Sequence, residues 1–218
     1  MVLPALRPAV LAATFSLASL AASAQTFGEF IKKPELPLTF LGVDFSATKY
    51  YGPPLTVDQG EMKEQFTKIN ELLERESNKY DLDKALRRTG PTKYAIYVAE
   101  ASNKQIDPGT IIVPGGTPPR KGFTTQNVQD IVSRYTYPAG STGVGLAFVV
   151  ENINKLSEEE TYWAVFVDMS TKQVLLAEQI TGAGAGFGFR NHWASPLNGG
   201  IKSMKAHYGQ WKKEYAKK

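Results

Sequence analysis

Three strongly apolar segments in the last third of the chain constrain its fold more than any other feature: 143–150 (GVGLAFVV), 162–168 (YWAVFVD) and 173–180 (QVLLAEQI). Their Val, Phe, Tyr and Leu content is that of β-strands. Their near-continuous apolar character, in place of strict alternation, requires cover on both faces. Only Met169-Ser170-Thr171-Lys172 separates the second from the third, a spacing that makes a hairpin.

Helical periodicity supplies that cover. Over 59–79 the positions Met62, Phe66, Ile69, Leu72 and Leu73 recur at helical spacing, with Asp58 placed as an N-cap. Residues 81–86 add a further turn, ended by Gly90-Pro91. A helix from Thr124 or Thr125 carries Val128, Ile131, Val132 and Tyr135 on one stripe, and stops before Pro138-Ala139-Gly140. A last helix over 197–215 places Ile201, Met204, Tyr208, Trp211 and Tyr215 on a single seam. Earlier strands are expected at 39–45 (TFLGVDF), broken by Tyr50-Tyr51-Gly52-Pro53-Pro54, then at 93–99 and 105–113, the last starting either at 105 or only after Asp107-Pro108-Gly109. The stretch 114–122 reads as a turn-rich loop, and Glu158-Glu159-Glu160 as a solvated one. The resulting order is β-α-β-β-α-β-β-β-α. Short strand connections predict an α+β fold, a mainly antiparallel sheet packed by helices, in one domain over 38–218.

Compartment is read from residues 1–24. Arg7, an apolar run over 10–20 and Ala22-Ser23-Ala24 form the pattern of a cleavable signal peptide, cut between Ala24 and Gln25. The apolar run is too short for a permanent span, and no later stretch is long enough to be one. Residues 25–37 read as a flexible lead-in. Loss of Arg7 leaves 24 basic against 21 acidic residues, a net charge of +3. That is too mild to suggest a nucleic-acid partner. The chain has 0 cysteines, which removes disulfides, thiolate metal sites and cysteine nucleophiles. The expected product is periplasmic or secreted.

The most unusual stretch is TGAGAGFGFRNHWAS over 181–195. Backbone N–H groups at Gly184, Gly186 and Gly188, with Arg190 and Asn191, could hold an anion. Phe187, Phe189 and Trp193 could stack on a sugar, and His192 is one of only 2 histidines. The spacing matches neither a dinucleotide fingerprint nor a P-loop, because the last glycine of the first and the Gly-Lys of the second are missing. The same residues also suit a structural role, closing the end of the core. A Ser-His-Asp arrangement of Ser195, His192 and Asp168 or Asp44 is the one nucleophilic constellation available, without a nucleophile elbow. No zinc pattern and no complete calcium loop is present, and no cofactor is implied. Lys202, Lys205, Lys212, Lys213, Lys217 and Lys218 make the last helix basic, as for lying on anionic lipid or lipopolysaccharide, but a solvated face and the helix dipole suit them better.

The run GFGFRNHWA, behind a strand pair containing FVDMSTKQVL, resembles the C-terminal region of a family of uncharacterised exported proteins of Gram-negative bacteria. That family shows a similar G-F-G-x-R-N-Y-W ending and an LGVDFS-like first strand. The resemblance covers most of the chain after residue 24 and implies no activity. His192 stands where the family carries another aromatic, which argues against a catalytic role for it. The function expected from all of this is a non-catalytic envelope or secreted binding module, its partner an envelope protein or surface component. A small anionic or sugar ligand held by Gly184, Gly186, Gly188, Arg190, Asn191, His192 and Trp193 is the alternative, and a hydrolase using His192 comes third.

Overall fold

The computed structural model describes residues 25–53 and 59–215. The signal-peptide reading, the Asp58 cap, Lys217 and Lys218 lie outside them. The elements are α1 (Phe27–Lys32), β1 (Leu38–Asp44), β2 (Lys49–Gly52), α2 (Gln59–Arg75), α3 (Leu82–Ala85), β3 (Lys93–Tyr94), α4 (Tyr97–Asn103), β4 (Ile112–Pro114), α5 (Thr125–Ser133), β5 (Val144–Asn154), β6 (Glu159–Asp168), β7 (Val174–Ala183) and α6 (Phe189–Tyr215).

The sheet is not mainly antiparallel. Its 7 strands include five, in the order β3-β1-β5-β2-β4, that all pair in parallel. Only β6 is reversed relative to the other strands, pairing antiparallel with β5 and β7. This makes an α/β fold. The cause is topological: each parallel strand after β2 is entered through a helix, and parallel partners require such crossovers. The strongest strand, β5, is paired along one edge by β6 and along the other by β1 and then β2. Strands β1 and β2 are thus one row, interrupted at 45–48, and β3 and β4 form a broken row outside it.

Side chains repair the gap between β3 and β4. Asn70 of α2 accepts the Val43 N–H at 2.6 Å and donates to the Val43 carbonyl at 2.9 Å. Asn103 of α4 accepts the Phe45 N–H at 2.7 Å and donates to the same carbonyl at 2.9 Å. Two buried amides therefore stand in for a missing strand, which satisfies backbone groups that would otherwise be orphaned. Gly42, at a bulge with φ +105°, makes room: a Cβ there would meet Asn70 Oδ1 at 2.8 Å.

Helices cover both faces. Phe40, Phe148, Tyr162, Phe166, Trp193 and Trp211 pack with α1, α2, α3 and α6 on one side. Leu41, Ala147, Val149, Trp163 and Val165 pack with α5 and Val98 of α4 on the other. The stripes expected on α2 and α5 are buried throughout, as is the α6 seam from Ile201 to Trp211. Several local expectations change. The lead-in carries α1, capped by Thr26, with Phe27, Phe30 and Ile31 in the core. Tyr50 and Tyr51 belong to β2 instead of ending a strand. The strand expected at 93–99 is β3 followed by α4, while the strand of 105–113 takes the later of its two starts, as β4 after a short turn of helix at Pro108–Thr110. Among the described residues no helix is long and apolar enough to cross a membrane.

Candidate functional site

The carboxyl ends of β2, β4 and β5 lie at one edge of the sheet, where β6 begins, β7 ends and α6 starts. In open α/β sheets ligands bind outside the carboxyl ends of the strands, at a topological switch point. The glycine segment sits at this edge. Helix α6 begins at Phe189, eight residues before the expected 197, so it takes in Arg190, Asn191, His192 and Trp193 and continues through Pro196.

Proline has no N–H for the His192 carbonyl four residues back. That carbonyl is served instead by the Ser195 hydroxyl at 3.0 Å and the Ala185 N–H at 3.3 Å. Ser195 Oγ also accepts the Ala185 N–H at 2.6 Å. Its task is to mend the helix where Pro196 interrupts it. It makes no bond to the His192 ring, and Asp168 and Asp44 are engaged elsewhere, by Ser170 and by Tyr135. Ser195, His192, Asp168 and Asp44 thus assemble no Ser-His-Asp constellation.

His192 turns to a different acid. Its Nε2 lies 2.5 Å from Glu158 Oε2, both atoms closed to solvent and neither with another partner. The pair is ionic when the imidazole is protonated. Lys155 donates to Glu158 Oε1 at 2.5 Å and, with His192 adding a smaller effect, holds that carboxyl below its usual range. Glu158 also accepts the Gly184 N–H through its backbone carbonyl at 2.7 Å. The turn before β6 and the loop before α6 are thereby tied together. Gly184 permits this, since a Cβ there would collide with the His192 ring, while Gly186 (φ +99°) and Gly188 (φ +78°) take left-handed conformations.

Several of the expected ligand groups are engaged with their neighbours. Both Arg190 Nε and one terminal nitrogen donate to Asn191 Oδ1, at 3.1 and 3.0 Å, so the guanidinium engages its neighbour's amide. Trp193 is buried against His192, edge to face at 4.6 Å, and Phe189 is half-buried beside it. Of the three aromatics only Phe187 is free, 96% exposed. On the neighbouring turn Leu156 is 66% exposed.

Sequence reasoning missed Glu160. It was expected in a solvated loop, yet it lies in β6 with 0% exposure, and neither carboxyl oxygen has a partner. Burial raises its pKa well above the usual carboxylate range. Register places Tyr50, Ile153, Glu160 and Gly182 side by side, on the face that packs under Pro196. The Tyr50 hydroxyl is likewise buried without a partner, and burial, with a smaller effect from Glu158, pushes it up to about 12. Strand alternation was the available signal, because Glu160, Tyr162, Ala164 and Phe166 share a parity. Among the described residues no group of three His, Asp or Glu side chains could hold a metal. No protein-family model and no curated protein matches the chain.

Proposed function

We propose that this domain is a non-catalytic interaction module that meets a protein partner at the carboxyl edge of its sheet, with Phe187 and Leu156 as anchors. The observation that carries this reading is Phe187, a large apolar side chain left 96% exposed on a loop whose two ends are fixed. Gly184 is bonded to the Glu158 carbonyl on one side, and His192, in the first turns of α6, is held by Glu158 on the other. An aromatic held out on a braced loop gives up little further freedom on docking, which is how interface anchors gain affinity. Three large hydrophobics are prominently exposed among the described residues, and two of them stand here; the third, Tyr97, is on α4. The polar groups that could have lined a small-ligand pocket are engaged internally, which favours a protruding anchor over a cavity. The leader read from residues 1–24 supports an envelope or extracellular partner.

The test is site-specific photocrosslinking in cells. A photoreactive residue replaces Phe187, Leu156 or, as a control, Thr136, which is exposed at the opposite end of the sheet. One discrete adduct from positions 187 and 156 and none from 136 is the expected result. Equal adducts from all three, or none from either anchor, would refute the reading.

A further inference from the structure

A second surface lies away from the carboxyl edge, where the end of α2 and helix α3 meet the middle of α6. A groove of about 210 Å³ is lined there by Lys79, Lys84, Lys202 and Lys205, with Asp81, Asn78 and Asn198 between them. Its floor is apolar, built from the buried Ala85 and Ile201. Four lysines thus line the groove against one carboxylate, and that carboxylate already accepts the Lys84 backbone N–H at 2.8 Å as the cap of α3. Lys79 has an exposed partner in Glu76 at 3.5 Å. Among the described residues Lys84, Lys202 and Lys205 have no carboxylate within ion-pair distance.

Helix-dipole compensation explains Lys212 and Lys213, which lie in the last turn of α6. It does not explain Lys202 and Lys205, which stand more than two turns before Tyr215, beyond the reach of the effect. Those two are also neighbours at i and i+3, where like charges repel. Asn198, Ile201, Lys202 and Lys205 share one helical face, so the lysines and an amide are presented together over the apolar floor. Three unpaired ammonium groups match the nearly double negative charge of a phosphate monoester better than the single charge of a carboxylate, and lysine serves phosphate as a point charge.

We propose that this groove binds a small phosphorylated polyol or sugar. Lys84, Lys202 and Lys205 hold the phosphate, while the Asn78 and Asn198 amides meet its hydroxyls. The site is independent of the anchor surface at the carboxyl edge.

Calorimetric titration of the purified chain at low ionic strength tests this, with inositol monophosphate, inositol and inorganic phosphate as probes. Inositol monophosphate should bind, inorganic phosphate more weakly and inositol not at all, and added salt should weaken binding. Lys202→Glu with Lys205→Glu should lower the affinity about tenfold or more. Lys212→Glu with Lys213→Glu, on the same helix outside the groove, should change it less than about twofold. All four positions are exposed, so a matched melting temperature certifies each variant's fold. Equal binding of inositol would overturn the role of charge. Equal binding of inorganic phosphate would overturn the ligand class, and equal losses in the two double variants would overturn the location. Binding to vesicles carrying phosphatidylinositol phosphate without binding of the soluble probe would overturn a free small molecule as the ligand, and no binding at all would overturn the site.

Discussion

Replacing Glu160 with methionine should stabilise the domain, and by more at neutral pH than at acid pH. The side chain is fully buried with both oxygens unpartnered, and burial keeps its folded-state pKa well above the ordinary value. Below the unfolded-state pKa, about 4.3, both states hold the proton and its linkage penalty vanishes. Above it the unfolded chain releases the proton while the folded chain keeps it, so stability falls as pH rises. The slope is about 1.4 kcal/mol per pH unit, until the folded carboxyl itself ionises. A neutral carboxyl buried without a partner costs a further amount of about 1–3 kcal/mol at any pH. Methionine, of similar volume, removes both costs. Urea unfolding of the wild type and Glu160→Met from about pH 4.5 to about pH 8 gives the difference directly. The other shifted acids, Asp44 raised and Asp168 and Glu158 lowered, titrate in both proteins and cancel. A difference that stays flat with pH would show that the folded carboxylate is ionised and compensated. A methionine variant less stable throughout would show that the carboxyl has a partner.

Asn70→Ala should cost about 1–3 kcal/mol for each buried group it orphans, the Val43 N–H foremost, measured by the same unfolding. Tyr50→Phe should leave stability unchanged or raised, since its hydroxyl has no partner; a loss above about 2 kcal/mol would contradict that. Trp211→Ala should cost about 3–5 kcal/mol, because the ring packs edge-on to Phe27 and Phe166 and its Nε1 donates to Glu178 at 2.5 Å. An unchanged melting temperature would mean α6 is not docked through that seam. Arg190→Ala should shift stability by no more than about 0.5 kcal/mol, as its hydrogen bonds go only to adjacent Asn191.

The elements legible in sequence are those whose burial shows in their own pattern, one buried stripe on a helix or a strand apolar on both faces. The stripes of α2 and α5, the α6 seam from Ile201 and the apolar runs of β5 and β6 all appear where periodicity puts them. The segment 93–99 fails for a tertiary reason. Its Tyr, Ile and Val favour a strand, but beyond β3 the edge of β1 is occupied by Asn70 and Asn103, and Asn103 reaches it only from a helix. The start of α6 was hidden because Pro196 reads as a barrier. Ser195 and Ala185 supply the bond that makes it passable, and one of them comes from outside the helix. In the glycine segment the unusual composition was legible. Its use was not, because Arg190, His192 and Trp193 were committed by neighbours that include Glu158, a residue from a different turn.

What the chain's local order determined is which residues are apolar together: three C-terminal strands with a hairpin, and helices with one buried face. Strand direction was decided only in the folded molecule, because β5 pairs with β1 and β2 some hundred residues upstream and no local pattern records that partner. The fate of Glu160 was decided there too. Its charge argues for solvent, but it continues a strand whose alternate side chains form the core, and the packing of Tyr162 and its neighbours outweighs the cost of burying one carboxyl.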